Sequence, residues 1–293
     1  MSNKIGLFAL VAAMVALGVA YFHAPAASVS AKKETAFERV MRTRTLRCAY
    51  SIWPPFLMMD PNTKKPSGVD YEVMEAIGKT QGLKIEWQEE VGFGSYPDQL
   101  SSGKQDAFCV TVWNSSKRAQ RVEYTIPEAY SPLYAYVRDG DTRFDNNLNV
   151  LNDEGVTIAV IDGSTGFFVA SASFPKAKQY SLTNLSDASQ LLMALASGKS
   201  DAAFYDEFTV GEYNRKNPDK KLRRVPGPEP VRVFGQVYSV AKGELELRDL
   251  LNVTLNELNG NGTIDKAIKK YESVPNMILR AAKPYQNPVA SAP

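Results

Sequence analysis

The sequence predicts an α/β fold built as two lobes, each a mostly parallel sheet flanked by helices. Three observations predict it. Ser102-Gly103-Lys104-Gln105-Asp106-Ala107 recurs as Ser197-Gly198-Lys199-Ser200-Asp201-Ala202. Each copy follows a leucine-bearing helical run and leads into an apolar strand-like run, AFCVTV or AAFY, which is half of a βαβ crossover. The copies lie roughly ninety-five residues apart, too far for a solenoid repeat and suited to one unit per lobe. In each copy a glycine ends the helix in a conformation that a side chain would oppose. Ligands of open parallel sheets bind beyond the carboxyl ends of the strands. Thr111 to Arg118 and Tyr205 to Phe208 should therefore face each other across a cleft.

Residues 1–31 carry Lys4, an apolar run from Ile5 to Phe22 and a small-residue flank with cleavage expected at Ala26 or Ala31. This has the form of a secretory signal, which points to a periplasmic protein. The alternative is a retained membrane anchor, because the run lies at the lower length limit for crossing a bilayer.

The 34 Lys and Arg against 32 Asp and Glu give no support to nucleic-acid binding or polybasic membrane attachment. The only histidine, His23, leaves with the signal. A mature chain without histidine has no Ser/His or Cys/His catalytic pair and no His-bearing zinc site, so neither a metal nor a cofactor is expected. Cys48 and Cys109 both fall in strand-like runs. Export permits a disulfide, but bonding between neighbouring parallel strands is awkward, and two buried thiols are the preferred reading.

Further along, a short helix is expected around Lys33 to Met41, and Thr45 to Tyr50 reads as the first strand. Pro54 and Pro55 stop that strand and should hold Trp53 at its carboxyl end. Gly68 to Gln81 has helical apolar spacing at Val69, Val73, Met74 and Ile77, with Asp70 and Glu72 in the first turn, where the helix dipole favours acids. Gly82 closes it. Leu83 to Gln88 is the next strand, and Gly92 to Tyr96 a loop. After the strand VTIAVID, Gly163-Ser164-Thr165-Gly166 opens a helix whose amides can point at an anion. Residues 215–230 read as a solvated loop, and residues 284–293 as a disordered tail.

Taken in order, WPPF at 53–56, GVDYEVMEAIGK at 68–79, SGKQDA, SSKRAQRVEYTIPEAY at 115–130, GSTG at 163–166, SGKSDAAFYD at 197–206 and the run from Gly243 to Tyr271 carry a resemblance. From about Leu46 to Tyr271 the chain resembles the polar-amino-acid type of solute-binding proteins that serve ABC transporters. The resemblance implies a periplasmic-binding-protein-like fold in which two extended crossover strands join the lobes. Lobe one is then residues 45–130 plus 235–275, and lobe two residues 133–230. The hinges are Tyr130-Ser131-Pro132 and Pro230 to Phe234.

It also implies a ligand site. Arg118 stands in the place of the family's carboxylate-binding arginine, and Asp206 in that of its ammonium-binding acid; Asp206 could instead cap the following helix. Thr165 belongs to the anion-binding turn, and Trp53 and Phe93 stand where aromatics meet the ligand side chain. Two departures affect the substrate. Thr111-Val112-Trp113-Asn114 replaces a Gly-x-Thr run, so Trp113 occupies a threonine's place, and Tyr50-Ser51-Ile52 lacks the acid of basic-amino-acid binders. The pocket is therefore expected to take an apolar or aromatic amino acid or a related compound, with quaternary amines open through cation–π contact.

Three functions fit this sequence. The first is a monomeric binding protein, without catalytic residues, that delivers a small organic solute to an inner-membrane ABC permease. The second is a periplasmic enzyme resembling the dehydratases of prephenate or arogenate, with Glu89, Glu90, Glu128 and Glu207 available as acids. The third is a sensory or scaffolding module for a membrane partner. The first is adopted, by analogy of fold.

Overall fold

The computed structural model describes residues 34–145, 147–227, 229–273 and 277–281. The expected signal segment and C-terminal tail lie outside the described residues. Thr35 accepts from the Glu38 amide, and Glu38 reaches back to the Thr35 amide, so this capping box starts α1 (Ala36–Thr43). It leads into β1 (Thr45–Tyr50), then a small hairpin of β2 (Met58–Met59) and β3 (Pro66–Ser67). Then come α2 (Val69–Gln81), β4 (Lys84–Glu90), α3 (Tyr96–Ser101), β5 (Ala107–Trp113), β6 (Val122–Tyr124) and the long β7 (Ala129–Arg138). The second half supplies β8 (Thr157–Ile161), α4 (Thr165–Ser173), β9 (Lys178–Leu182), α5 (Ala188–Ala196), β10 (Ala202–Tyr205) and α6 (Glu207–Lys216). Last come β11 (Leu222–Arg224), β12 (Arg232–Ala241), α7 (Leu245–Gly260), α8 (Thr263–Tyr271) and β13 (Leu279–Arg280).

The sheet order shows one design used twice. In the order β4-β1-β5-β12 the first three strands run parallel and the fourth antiparallel, and β9-β8-β10-β7 repeats this arrangement. The two halves join where β7 and β12 pair, from Ala129 opposite Gln236 to Leu133 opposite Arg232. These are the two crossover strands expected from the resemblance. Gly235 is needed there because a Cβ would lie 2.9 Å from the Pro127 ring.

The repeated motif has a structural job. Asp106 accepts the Arg47 amide at 2.8 Å and donates its own amide to the Arg47 carbonyl at 2.9 Å, tying the start of β5 to β1. Asp201 does the same with Thr157 of β8, at 2.9 and 2.7 Å. Each aspartate also meets two guanidinium groups, Arg39 and Arg47 in the first half, Arg138 and Arg143 in the second. The preceding glycines have φ of 72° and 80°, the left-handed turn that the sequence implied.

Two expectations need correction. Cys48 and Cys109 form a disulfide, with Cα atoms 5.4 Å apart. Cys48 lies opposite Ala107, so Cys109, two residues further on, projects from the same face of the adjoining strand, and a diagonal bond spans the gap. Within residues 215–230, expected as a loop, Leu222–Arg224 adds an edge strand to β7. Leu222 is buried, Arg223 bonds Asp145, and the Arg224 guanidinium lies 4.1 Å from the Tyr134 ring centroid. Those anchors lie in distant sequence, which is why local composition read as solvated.

Asp70 lies in the first turn of α2, as expected, and does more than meet the helix dipole. It is fully buried, accepting the Thr111 amide at 2.8 Å and the Thr111 hydroxyl at 3.2 Å. The Tyr238 hydroxyl lies 3.1 Å from Asp70 and 2.7 Å from the buried Glu128. One phenol proton serves only one carboxyl at a time, so the cluster is satisfied when Glu128 holds a proton. Burial pushes both carboxyls up, Asp70 to about 7 and Glu128 well above its ordinary value, with the neighbouring acid the next cause for Glu128. Stability from Asp70 is complete below about pH 4 and is lost as pH rises through about 7, and the contribution of Glu128 is lost at higher pH. Acids with lowered values, such as Asp265, act in the opposite sense, and their contribution is complete above about pH 5. We predict that urea unfolding shows wild type losing about 1–3 kcal/mol between pH 5.5 and 8, and that Asp70→Asn removes much of that loss. Equal pH dependence in both proteins would contradict the assignment.

Candidate functional site

A cavity of about 440 Å³ opens at the carboxyl ends of the parallel strands of both halves. From the first half, the ends of β1, β4 and β5 bring Ser51 to Trp53, Glu90 to Phe93, and Val112 and Trp113. From the second, the ends of β8 and β10 bring Ile161, Phe204 and Tyr205, and the first turn of α4 adds Thr165. This is the placement expected of an α/β sheet.

Trp53 is held by the chain itself. Its amide and carbonyl both bond Leu57 at 2.9 Å, closing a tight loop over the prolines. The Val69 and Asp70 amides at the start of α2 then bond the Pro55 and Phe56 carbonyls at 3.0 and 2.8 Å. Gly68 makes that approach possible, since its φ is 121° and a Cβ would lie 2.4 Å from the Phe56 carbonyl oxygen. The indole of Trp53 sits edge-on to Phe93 and Trp113, at 5.6 and 5.7 Å between ring centroids. Trp113 in turn stacks on Phe234 of the crossover strand and meets Tyr205 of the second half, each at 5.8 Å. The aromatic wall thus runs across both halves. The sequence placed Tyr205 at the start of a cleft-facing segment and Phe234 at the end of a hinge, without naming either among the ligand-site residues.

Arg118 lies in the 3-10 turn Arg118–Gln120 and is only 7% exposed. Its guanidinium donates to the Gly163 carbonyl of the opposite half at 2.6 Å and lies 5.6 Å from the Tyr96 ring centroid. Gly163 precedes α4, so this charge sits beside that helix's N-terminus. There Ser164 accepts the Phe167 amide at 3.2 Å, and Thr165 is buried at the first helical position. The helix start and the arginine together form an electropositive corner.

Five expected residues, Trp53, Phe93, Trp113, Arg118 and Thr165, line the cavity, and Asp206 does not. Asp206 caps α6, accepting the Thr209 amide and hydroxyl, both at 2.8 Å. Burial pushes its carboxyl up, against the pull of those Thr209 bonds. The Trp53 indole N–H contacts the same Thr209 hydroxyl at 3.4 Å, so the tryptophan stands against the capped acid.

The two halves touch closely at the rim. A Cβ on Gly94 would lie 2.8 Å from the Asn184 Cβ and 3.3 Å from the Asp162 carbonyl, and one on Gly92 would lie 2.9 Å from the Asn184 carbonyl. Asn184 to Asp187, between β9 and α5, also line the cavity, and no sequence signal marked them.

A model of the bacterial extracellular solute-binding proteins, family 3, matches residues 46–274. The chain belongs to this family. It is 28% identical over 214 residues to a probable histidine-binding protein of Campylobacter jejuni, covering 71% of this chain and 77% of that one. It also matches an ancestral arginine-binding protein bound to arginine, with TM-score 0.65 and 27% identity, over 78% of this chain and 98% of the other. An ancestral amino-acid-binding protein described as a precursor of cyclohexadienyl dehydratase shares the fold, with TM-score 0.69 and 22% identity over 81% of this chain and 99% of that one. Solute binding is thus the role of this family 3 protein. Among the described residues no helix is long and apolar enough to cross a membrane.

The glycines at the rim give a test of closure. Gly94→Val should hold the halves apart, because the contact it would enter is backbone and a Cβ rather than a movable side-chain end. Small-angle scattering should give a larger radius of gyration for Gly94→Val than for wild type in the same buffer. Superimposable curves would remove the rim contact from the closure account.

Proposed function

We propose that this protein captures a small amino-acid-like solute between its two lobes, residues 45–130 plus 235–275 and residues 133–230, by closing at the crossover strands. It then presents the solute to an inner-membrane ABC permease. The observation that carries this reading is Arg118, a buried cation held at the junction of both halves beside the N-terminus of α4. A buried guanidinium is well suited to a carboxylate, which it can grip with two parallel N–H bonds. Names among its relatives, histidine-binding and arginine-binding, support an amino-acid-like solute. The apolar wall of Trp53, Phe93 and Trp113 favours an apolar or aromatic body over a basic one. The protein works in the periplasm, which family membership supports, and residues 1–31 are its export signal.

The enzyme reading has less support. Of Glu89, Glu90, Glu128 and Glu207, only Glu90 lines the cavity, and it is exposed at the rim. Glu128 is committed to Tyr238, on a strand interior. Relatives with curated names are binding proteins, which supports a chain that carries no reaction of its own.

A thermal-shift panel of the twenty amino acids and their deaminated acids tests the proposal. The best compound at a hundredfold excess over its dissociation constant should add about 2.7 kcal/mol of stability. Arg118→Ala should then weaken that compound at least tenfold by titration calorimetry, with the unfolding temperature of the free protein little changed. Unchanged affinity would remove Arg118 from the site.

A further inference from the structure

We infer that the buried carboxyls of Asp70 and Glu128 position the cavity wall, holding Trp53 and Trp113 in place while they keep a proton between them and slackening both as that proton is lost. This rests on the solute-binding reading and gives the same cavity a regulator. Neither acid lines the cavity, so both act through the residues they hold. Asp70 grips two separate pieces of the wall. Its amide donates to the Phe56 carbonyl at 2.8 Å and that of Val69 to the Pro55 carbonyl at 3.0 Å, so the start of α2 fixes the loop that carries Trp53. Its carboxyl takes the Thr111 amide at 2.8 Å and the Thr111 hydroxyl at 3.2 Å, two residues before Trp113 on β5. Glu128 ties this centre to the crossover strands. Its amide donates to the Gln236 carbonyl at 3.0 Å, and it stands two residues before the hinge residue Tyr130. The Tyr238 hydroxyl of β12 reaches both carboxyls.

The two carboxyls lie within hydrogen-bonding reach of each other, and the buried Glu128 Oε1 has no other partner, which makes Glu128 the natural holder of the proton. From α2, β5, the segment entering β7, and β12, the titratable groups that face the pair are the two acids themselves and the Tyr238 phenol. The elements packed behind α2 spend their charges at the surface. Lys270 of α8 pairs with Glu72, Arg248 of α7 with Glu123 and Asp249, and Lys84 of β4 with Glu86. Among the described residues no lysine or arginine pairs with Asp70 or Glu128. Burial pushes Asp70 up to about 7 and Glu128 well above its ordinary value, so the pair keeps its protons in acid and sheds them as pH rises through about 7 and beyond. Once both are ionised, two buried carboxylates repel with no cation to offset them. Drawing the start of α2 back relieves the repulsion. That movement takes the Trp53 loop with it and deprives Thr111 of its acceptor, so the edge-on contact of Trp53 with Trp113, at 5.7 Å, opens. A slackened wall offers an apolar solute fewer close contacts.

Acrylamide quenching of tryptophan fluorescence reads the wall without any solute. Trp53, Trp87 and Trp113 are the chain's only tryptophans, so Trp87→Phe in the mature protein leaves the two wall indoles as reporters. These side chains are 7% and 8% exposed, and their quenching constant should be low and level between pH 5 and 6. It should rise at least about twofold by pH 9 while the far-UV circular dichroism stays unchanged. Asp70→Asn and Glu128→Gln, each added to Trp87→Phe, put an amide with an acceptor and a permanent donor in place of an ionisable carboxyl, and should keep the constant level to pH 9. A level constant in the Trp87→Phe protein, a rise that comes with loss of the far-UV signal, an equal rise in either variant, or failure of both variants to fold at pH 5.5 overturns the inference. Each of these outcomes leaves the solute-binding reading standing. Silence of the thermal-shift panel at pH 6 overturns that reading instead, whatever the quenching shows.

Discussion

A buried guanidinium must be given oxygen atoms, and Arg118 meets that requirement across the cleft. Its donor bond to the Gly163 carbonyl joins the end of the first half's β5 region to the turn that opens α4 in the second. Much of the surrounding architecture follows from holding those two points together. Gly92 and Gly94 allow the rims to approach Asn184, and the aromatic wall is continuous only when Trp113 reaches Tyr205. The same contact gathers positive potential at one end of an otherwise apolar cavity. Positioning and chemistry therefore have one source.

Rigidity beneath the cleft comes from a different device, used once in each half. The aspartate of each repeat is bound to the amide and carbonyl of the neighbouring strand and to two arginines, so the strand that carries the cleft residues starts from a fixed point. In the first half the disulfide and the buried Asp70, Glu128 and Tyr238 cluster add further ties among α2, β5, the segment entering β7, and β12. The proposed closure then falls to the crossover strands. There the Gln236 side-chain amide, two residues past Phe234, donates to the Ser131 hydroxyl at 2.5 Å.

What the sequence made legible was what short spacing encodes. The repeat announced two similar α/β units, the glycines announced left-handed turns, and the strand ends announced where a cavity would open, which is where Trp53, Trp113 and Arg118 lie. What it hid depends on register and distance. Asp206 has the same residue type at the same position whether it meets a ligand or caps a helix, and its bonds to the Thr209 amide and hydroxyl show the cap alone. Cys48 and Cys109 needed the parallel register to reveal a shared face. The sequence put Asp70 in a first helical turn but not in a buried cluster, because its partners, Thr111, Glu128 and Tyr238, lie between about forty and one hundred seventy residues away. Leu222–Arg224 pairs with a strand far upstream and carries no local signal beyond one buried leucine.

The central claim is that Arg118, by gripping a carboxylate, closes the two halves on it. Spin labels at Met193→Cys on α5 and Val253→Cys on α7, both exposed positions in opposite halves, report that motion directly through their dipolar distance. With the tightest-binding carboxylate from the titrations added, the distance distribution should become shorter and narrower, and Arg118→Ala should abolish the change. A distribution that ignores the carboxylate, or that contracts equally without the arginine, would contradict the account.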